Sequence, residues 1–264
     1  MEIANAIILG LIEGVTEFLP VSSTGHLLVA EHFLRIHESD SFNVLLQIGP
    51  ILAVAFVYRN DLIRYAREFR DPLVRDEIIK VGACFCLTVV LGLITKLFGV
   101  ALPESVLPVA VATLIGGIII LIVEIISKGR KLTDDVGWGI VPLVAIAQIA
   151  AAVFPGTSRS GAVLIACFAA GIARPTAVRF AFIVGIPTML AAGGFQVLQL
   201  LRSDHGSIVT LPNIISFITA TVTAFIVVKW LVDFIKHHTF IPFAIYRFAL
   251  GTGLIVLFIT AFMR

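Results

Sequence analysis

Two short stretches hold most of the groups able to do chemistry: FLPVSSTGH at 18–26 and FPGTSRSG at 154–161. Each sets proline, hydroxyls and glycine in the middle of apolar sequence. Broken backbone and polar side chains persist at membrane depth only where they are buried in protein or line a wet cavity, so the two stretches read as halves of one site. A helix that begins inside the membrane aims unpaired N–H groups and the positive end of its dipole at whatever lies before it, which makes an anion site. Ser22, Ser23 and Thr24 occupy the expected N-cap positions of the first copy, and Thr157, Ser158 and Ser160 those of the second. Capping alone is the competing use of these hydroxyls. Arg159 adds a fork of donors matched to phosphate oxygens, and an unpaired guanidinium would be costly in a bilayer.

Glu13 and Glu17 are four residues apart and share one helix face. Two like charges at low dielectric demand a shared proton, a cationic partner or a divalent metal, and carboxylate oxygens favour Mg2+ or Ca2+ over softer ions. Pairing of one glutamate with Arg159, without metal, is the rival reading. His26 follows the first tip by about one helical turn, and its acidic and hydroxylic neighbours favour a catalytic role over packing. Gln47 and Gln148 are open between lining a cavity and bonding between helices. Arg247 is open between touching an anionic head group and a structural ion pair. Lys96 reaches toward the membrane interface. His32, His37, His205, His237 and His238 are expected at solvated ends, and the glycine pairs at 116–117 and 193–194 at close helix contacts.

The elements that position these groups follow from composition. The chain is 59% hydrophobic and 14% charged, with a mean hydropathy of +1.05, which places it among integral membrane proteins. Its apolar blocks run continuously, without the alternation of a barrel, so the spans are helices. The apolar N-terminal stretch has no basic leader or small-residue cleavage pattern and carries Glu13, so a removed signal peptide is not expected. Cys84, Cys86 and Cys167 lie in apolar blocks with no metal or disulfide spacing. A net charge of +2, spread thinly, gives no reason to expect nucleic acid.

Apolar runs and breakers predict ten helical pieces, at 2–19, 23–36, 42–66, 73–98, 105–127, 137–154, 159–172, 175–202, 211–236 and 240–262. The second and seventh reach only about 21 Å and cannot cross a core of about 30 Å, which predicts half-helices of re-entrant hairpins. Aligning Pro20 with Pro155 puts Ser23 on Ser158, Thr24 on Arg159, Glu13 on Gln148 and Gly49 close to Gly185. The expected fold is therefore an all-α polytopic membrane protein built as an inverted-topology repeat, with six transmembrane helices and two re-entrant helix hairpins. Residues 1–130 form the first repeat and 131–264 the second, inverted one. Basic residues mark the cytoplasmic side. Arg59, Arg64, Arg67, Arg70, Arg75, Lys80, Lys128, Arg130, Lys131, Arg174, Arg179, Lys229 and Lys236 fall there, against Arg35, Arg202 and Arg264 outside. Both termini are then expected outside.

The sequence resembles the undecaprenyl-diphosphate phosphatase family, or bacitracin-resistance proteins, of bacterial inner membranes. The likeness covers nearly the whole chain and rests on EGVTEFLPVSSTGH at 13–26, FNVLLQIG at 42–49, PGTSRSGA at 155–162 and FIPFAIYRF at 240–248. It implies hydrolysis of undecaprenyl diphosphate to the monophosphate carrier used in peptidoglycan synthesis, a divalent cation, and a site facing the periplasm. By motif it implies Glu13 and Glu17 as the acidic pair, Ser23 and His26 as serine and histidine, and Ser158 and Arg159 as phosphate-binding residues. A second class of lipid phosphatases needs a histidine and an aspartate downstream of its arginine, and the residues after Arg159 are apolar.

The expected partners are a polyprenyl diphosphate and membrane lipid, with a homodimer left open. Attack on the terminal phosphorus is open among His26, Ser23 and water activated by Glu17. His26 as nucleophile or acid–base partner, with Ser23 orienting a phosphate oxygen, is the preferred version. The rival from another class is a transporter or flippase of an anionic lipid or small anion, since broken helices in inverted repeats are common in carriers.

Overall fold

The computed structural model describes residues 2–36, 40–100, 102–202 and 209–262. Its regular structure there is helical throughout, in eleven helices. These are α1 (Ile3–Thr16), α2 (Ser23–Leu34), α3 (Asp40–Val57), α4 (Arg59–Arg67), α5 (Pro72–Leu97), α6 (Val106–Ser127), α7 (Ile140–Val153), α8 (Arg159–Ala169), α9 (Arg174–Arg202), α10 (Leu211–His237) and α11 (Ile241–Phe262). Among the described residues α5, α6, α9, α10 and α11 are long and apolar enough to cross a membrane, and the bent pair of α3 and α4 makes a sixth if it counts as one span. His37, His205 and Arg264 lie outside the described residues.

Local chemistry sets the helix starts. Asp71 caps α5 by accepting from the N–H groups of Leu73 and Val74, and Pro72 fills the first turn, where no donor is needed. Thr210 caps α10 by accepting from Asn213. The predicted single piece 42–66 is two helices bent by 65° at Tyr58. The bend falls where an apolar run meets RNDLIRYAR, which buries none of its residues and so cannot continue into an apolar environment. Tyr58 is buried at the joint, its ring edge-on to Phe182.

α10 packs between α1 and α3 at close range. A Cβ at Gly14 would lie 2.6 Å from the carbonyl of Ala220, and one at Gly49 would lie 2.7 Å from that of Phe217, so only glycine allows these approaches. Gly117 and Gly193 also serve packing, against Ala244 and Ile48. Phe18, Phe168, Phe180, Phe182 and Phe240 fill the interior around α8 and α9. At one end of the bundle Arg64 pairs with Glu77 at 2.5 Å, Arg179 with Asp61 at 2.6 Å and Arg174 with Glu124 at 2.5 Å. Lys80 pairs with Asp76 beside them. Residues expected on one side of the membrane thus gather at one end.

Candidate active site

The site is built where two helices stop and two begin. α1 ends at Thr16, and Phe18, Leu19, Pro20 and Val21 leave the helical path before α2 starts at Ser23. α7 ends at Val153, and Pro155 and Gly156 turn the chain into α8. Gly156 has a φ of 94°, and a Cβ there would lie 2.5 Å from the carbonyl of Val109. Both new helices open with the same device. Ser22 (φ 74°) accepts from Gly25 N–H at 3.2 Å, and Ser158 (φ 67°) accepts from Gly161 N–H at 3.3 Å. The local geometry therefore matches Ser22, not Ser23, with Ser158, and shifts the expected pairing by one residue. That places Ser23 opposite Arg159.

The breaks meet on Glu17. Its Oε1 accepts from Arg159 Nη2 at 2.9 Å, its Oε2 accepts from Ser23 Oγ at 2.7 Å, and its backbone carbonyl accepts from Ser160 Oγ at 2.9 Å. Ser158 Oγ also donates to the carbonyl of Leu19 at 3.3 Å. Thr157 turns its hydroxyl back to Phe154 O at 2.7 Å. Of the expected phosphate-binding hydroxyls, Ser22 and Ser158 serve as caps, and Ser158, Thr157 and Ser160 donate to backbone carbonyls. Thr24 faces a cavity of about 550 Å3 together with Glu13 and Ser23. Glu17 and Arg159 line a small adjoining hollow with Gln148.

Glu13 is 1% exposed, and among the described residues no N–H or hydroxyl donates to its carboxylate, which lies against that of Glu17. The charges acting on it are Glu17 and Arg159. Among the described residues that line the large cavity there is no Lys or Arg, and Glu31, Asn43, Gln47, Glu104, Gln196 and Gln199 complete its polar wall. Among the described residues no group of three or more His, Cys, Asp and Glu is placed to hold a metal. An orphaned buried carboxylate beside a second one, with hydroxyl and amide oxygens around it, suits Mg2+, which uses one or two carboxylates plus water and substrate phosphate instead of a full protein cage. Gln148 divides its roles, donating to Thr88 Oγ1 at 2.9 Å between helices while its own oxygen has no partner among the described residues.

His26 is placed differently from the expectation. Nδ1 lies 2.7 Å from the carbonyl of Ser22 and Nε2 lies 2.7 Å from the hydroxyl of Tyr246, on which the ring also stacks. A carbonyl only accepts, so Nδ1 carries hydrogen, and when the ring is neutral Nε2 accepts from Tyr246. The ring turns toward α11 and takes no place in the wall shared by Glu13, Ser23 and Thr24. Tyr246 was not singled out from sequence, where it is one aromatic residue in an apolar run. Arg247 is 1% exposed and bonded to backbone carbonyls of both breaks and α6, with no carboxylate among its partners in the described residues.

Residues 6–253 match the model of the family described as bacitracin resistance protein BacA. Curated relatives named undecaprenyl-diphosphatase include those of Rhizobium johnstonii at 46% identity, Rhizobium etli at 45% and Xanthomonas campestris pv. campestris at 43%, each over 97% of both chains.

Proposed function

This chain belongs to the bacitracin resistance protein BacA family, and from that membership and the joined breaks we infer that it is an undecaprenyl-diphosphatase. It hydrolyses undecaprenyl diphosphate to undecaprenyl phosphate and inorganic phosphate, and it is a multi-pass protein of the bacterial inner membrane. The observation that carries the chemistry is the Glu17 carboxylate held between Ser23 Oγ at 2.7 Å and Arg159 Nη2 at 2.9 Å.

Ser23 is the nucleophile and Glu17 its base, because a hydroxyl already donating to a carboxylate is the arrangement that activates an oxygen for attack. This reading replaces His26 as the preferred attacking group, since both its ring nitrogens are engaged elsewhere. Ser23 Oγ bonds to the terminal phosphorus, its proton passes to Glu17, and the bond to the bridging oxygen breaks, releasing undecaprenyl phosphate. Protonation removes the charge that holds Arg159, leaving the guanidinium to stabilise the transferring phosphoryl group. Water then attacks the phosphoserine phosphorus while Glu17 returns its proton to the departing Ser23 Oγ, releasing inorganic phosphate and restoring both the hydroxyl and the carboxylate. Thr24 orients a phosphate oxygen. Ser22, Thr157, Ser158 and Ser160 hold the backbone of the two tips in place, and His26 fixes the first turn of α2.

Glu13, with Glu17 beside it, holds a divalent cation, Mg2+ or Ca2+, which supplies the positive charge that an acidic cavity otherwise lacks for a diphosphate. The twin serine caps and the shortness of α1, α2, α7 and α8 support two re-entrant hairpins in an inverted repeat of residues 1–130 and 131–264. The large cavity is walled by Glu31 near the end of α2, Glu104 before α6, and Gln199 near the end of α9. That is the end poor in basic residues, opposite the Arg64, Arg174 and Arg179 cluster, which supports a site open to the periplasm and both termini outside. The test is solubilised protein with polyprenyl diphosphate and Mg2+. Phosphate release is expected. No release, with Glu17→Gln indistinguishable from wild type, would overturn hydrolysis in favour of transport.

A further inference from the structure

Arg247 is the largest fully buried side chain, and no carboxylate is among its bonding partners in the described residues. A guanidinium carries five N–H donors in a rigid fork and no acceptor. All five end on backbone carbonyls. Nε donates to Thr113 O at 2.9 Å, Nη1 to Pro20 O at 3.3 Å and Thr157 O at 3.1 Å, and Nη2 to Ala112 O at 3.1 Å and Gly156 O at 3.0 Å. One acceptor belongs to the first break, two to the second and two to α6. Carbonyls in a break have no following helical N–H to accept from, and buried without a donor they are costly. One side chain therefore donates to both breaks and ties them to the same helix, with Thr113 Oγ1 adding a bond to Gly156 O at 3.4 Å.

We propose that Arg247 is a positioning residue that sets the spacing of the two breaks, and through them the placement of Ser23 against Arg159. Its effect on turnover rests on the phosphatase reading above, whereas the joining of the breaks does not. Gly116 is the other half of the device. A Cβ there would lie 2.1 Å from Arg247 Nη2, so the guanidinium reaches its carbonyls only because α6 has no side chain at that point. Lysine cannot replace it, since three donors on one nitrogen cannot meet five carbonyls spread over a plane.

The experiment compares solubilised wild type, Arg247→Lys and Gly116→Ala by amide hydrogen exchange and by steady-state kinetics on polyprenyl diphosphate. Exchange should rise in residues 17–25 and 154–162 together, with α10 unchanged. kcat should fall at least roughly tenfold, because small misplacements of reacting groups cost that much or more, while KM stays near wild type. Faster exchange confined to α11, or spread equally through α10, overturns the proposal, as does full kcat in both variants. Gly116→Ala decides the matter if Arg247→Lys does not fold. A wild type that releases no phosphate would sink the phosphatase reading, and the exchange pattern would still decide whether Arg247 joins the breaks.

Discussion

Glu17 and Arg159 stand 142 positions apart in the chain and 2.9 Å apart in the fold, with the arginine 29% and the glutamate 10% exposed at the side chain. A half-buried pair of this kind holds charge that neither partner can lose alone without cost. Arg159→Met is expected to lower stability by about 3 kcal/mol by leaving Glu17 unpaired. Glu17→Gln/Arg159→Met should recover part of that loss, although both variants are inactive. Thermal unfolding of the wild type, Glu17→Gln, Arg159→Met and the double variant in one detergent checks the coupling, and strictly additive losses would contradict it.

Removing the base without removing its shape isolates the proton transfer. Glu17→Gln keeps an oxygen for Ser23 but cannot take its proton, and kcat should fall roughly 10²- to 10⁴-fold. Arg159→Lys keeps the charge and loses the fork, with an expected loss of roughly 10²-fold. Single-turnover kinetics separate these losses from changes in binding.

A covalent intermediate distinguishes Ser23 from His26. Acid quench of the wild type with terminally labelled substrate should trap an acid-stable phosphoserine that vanishes in Ser23→Ala and persists in His26→Ala. An acid-labile, base-stable phosphohistidine would assign the attack to His26 instead.

The Tyr246 hydroxyl is hydrogen-bonded to His26 Nε2 at 2.7 Å from the neighbouring helix. Tyr246→Phe removes one hydrogen bond, a net change of about 1 kcal/mol, so activity should drop by roughly fivefold with the fold intact. A loss as large as that of Glu17→Gln would place Tyr246 in the chemistry itself.

The lone carboxylate of Glu13 makes the cation dependence specific. Chelation should abolish activity, and added Mg2+ should restore it. Glu13→Gln should raise the Mg2+ concentration for half-maximal rate by at least about tenfold, since even indirect changes at metal sites have effects of that size. An unchanged Mg2+ requirement would remove Glu13 from the cation site.

Orientation is open to thiol labelling in intact cells, in a background lacking the native cysteines. Glu104→Cys, beside the large cavity, should react with an impermeant maleimide from outside, and Asp135→Cys, beside the charged cluster, only after permeabilisation. The reverse pattern would turn the site to the cytoplasm.

Sequence alone determined the class and the cast. Long apolar runs without inside–outside alternation fix a helical membrane protein, because in lipid only helices and closed barrels satisfy the backbone. Proline, serine and glycine inside such runs mark the two breaks, and Glu13, Glu17, Ser23 and Arg159 are legible there by chemistry and spacing. Tertiary structure decided who meets whom. Ser22, and not Ser23, caps α2, because only a fixed backbone tells which of two adjacent hydroxyls points at Gly25. The ring of His26 turns to Tyr246 on a helix 220 positions away, a contact with no local signal. Arg247 shows the limit most plainly: its partners are main-chain carbonyls, identical at every residue, so no pattern of side chains could have named them.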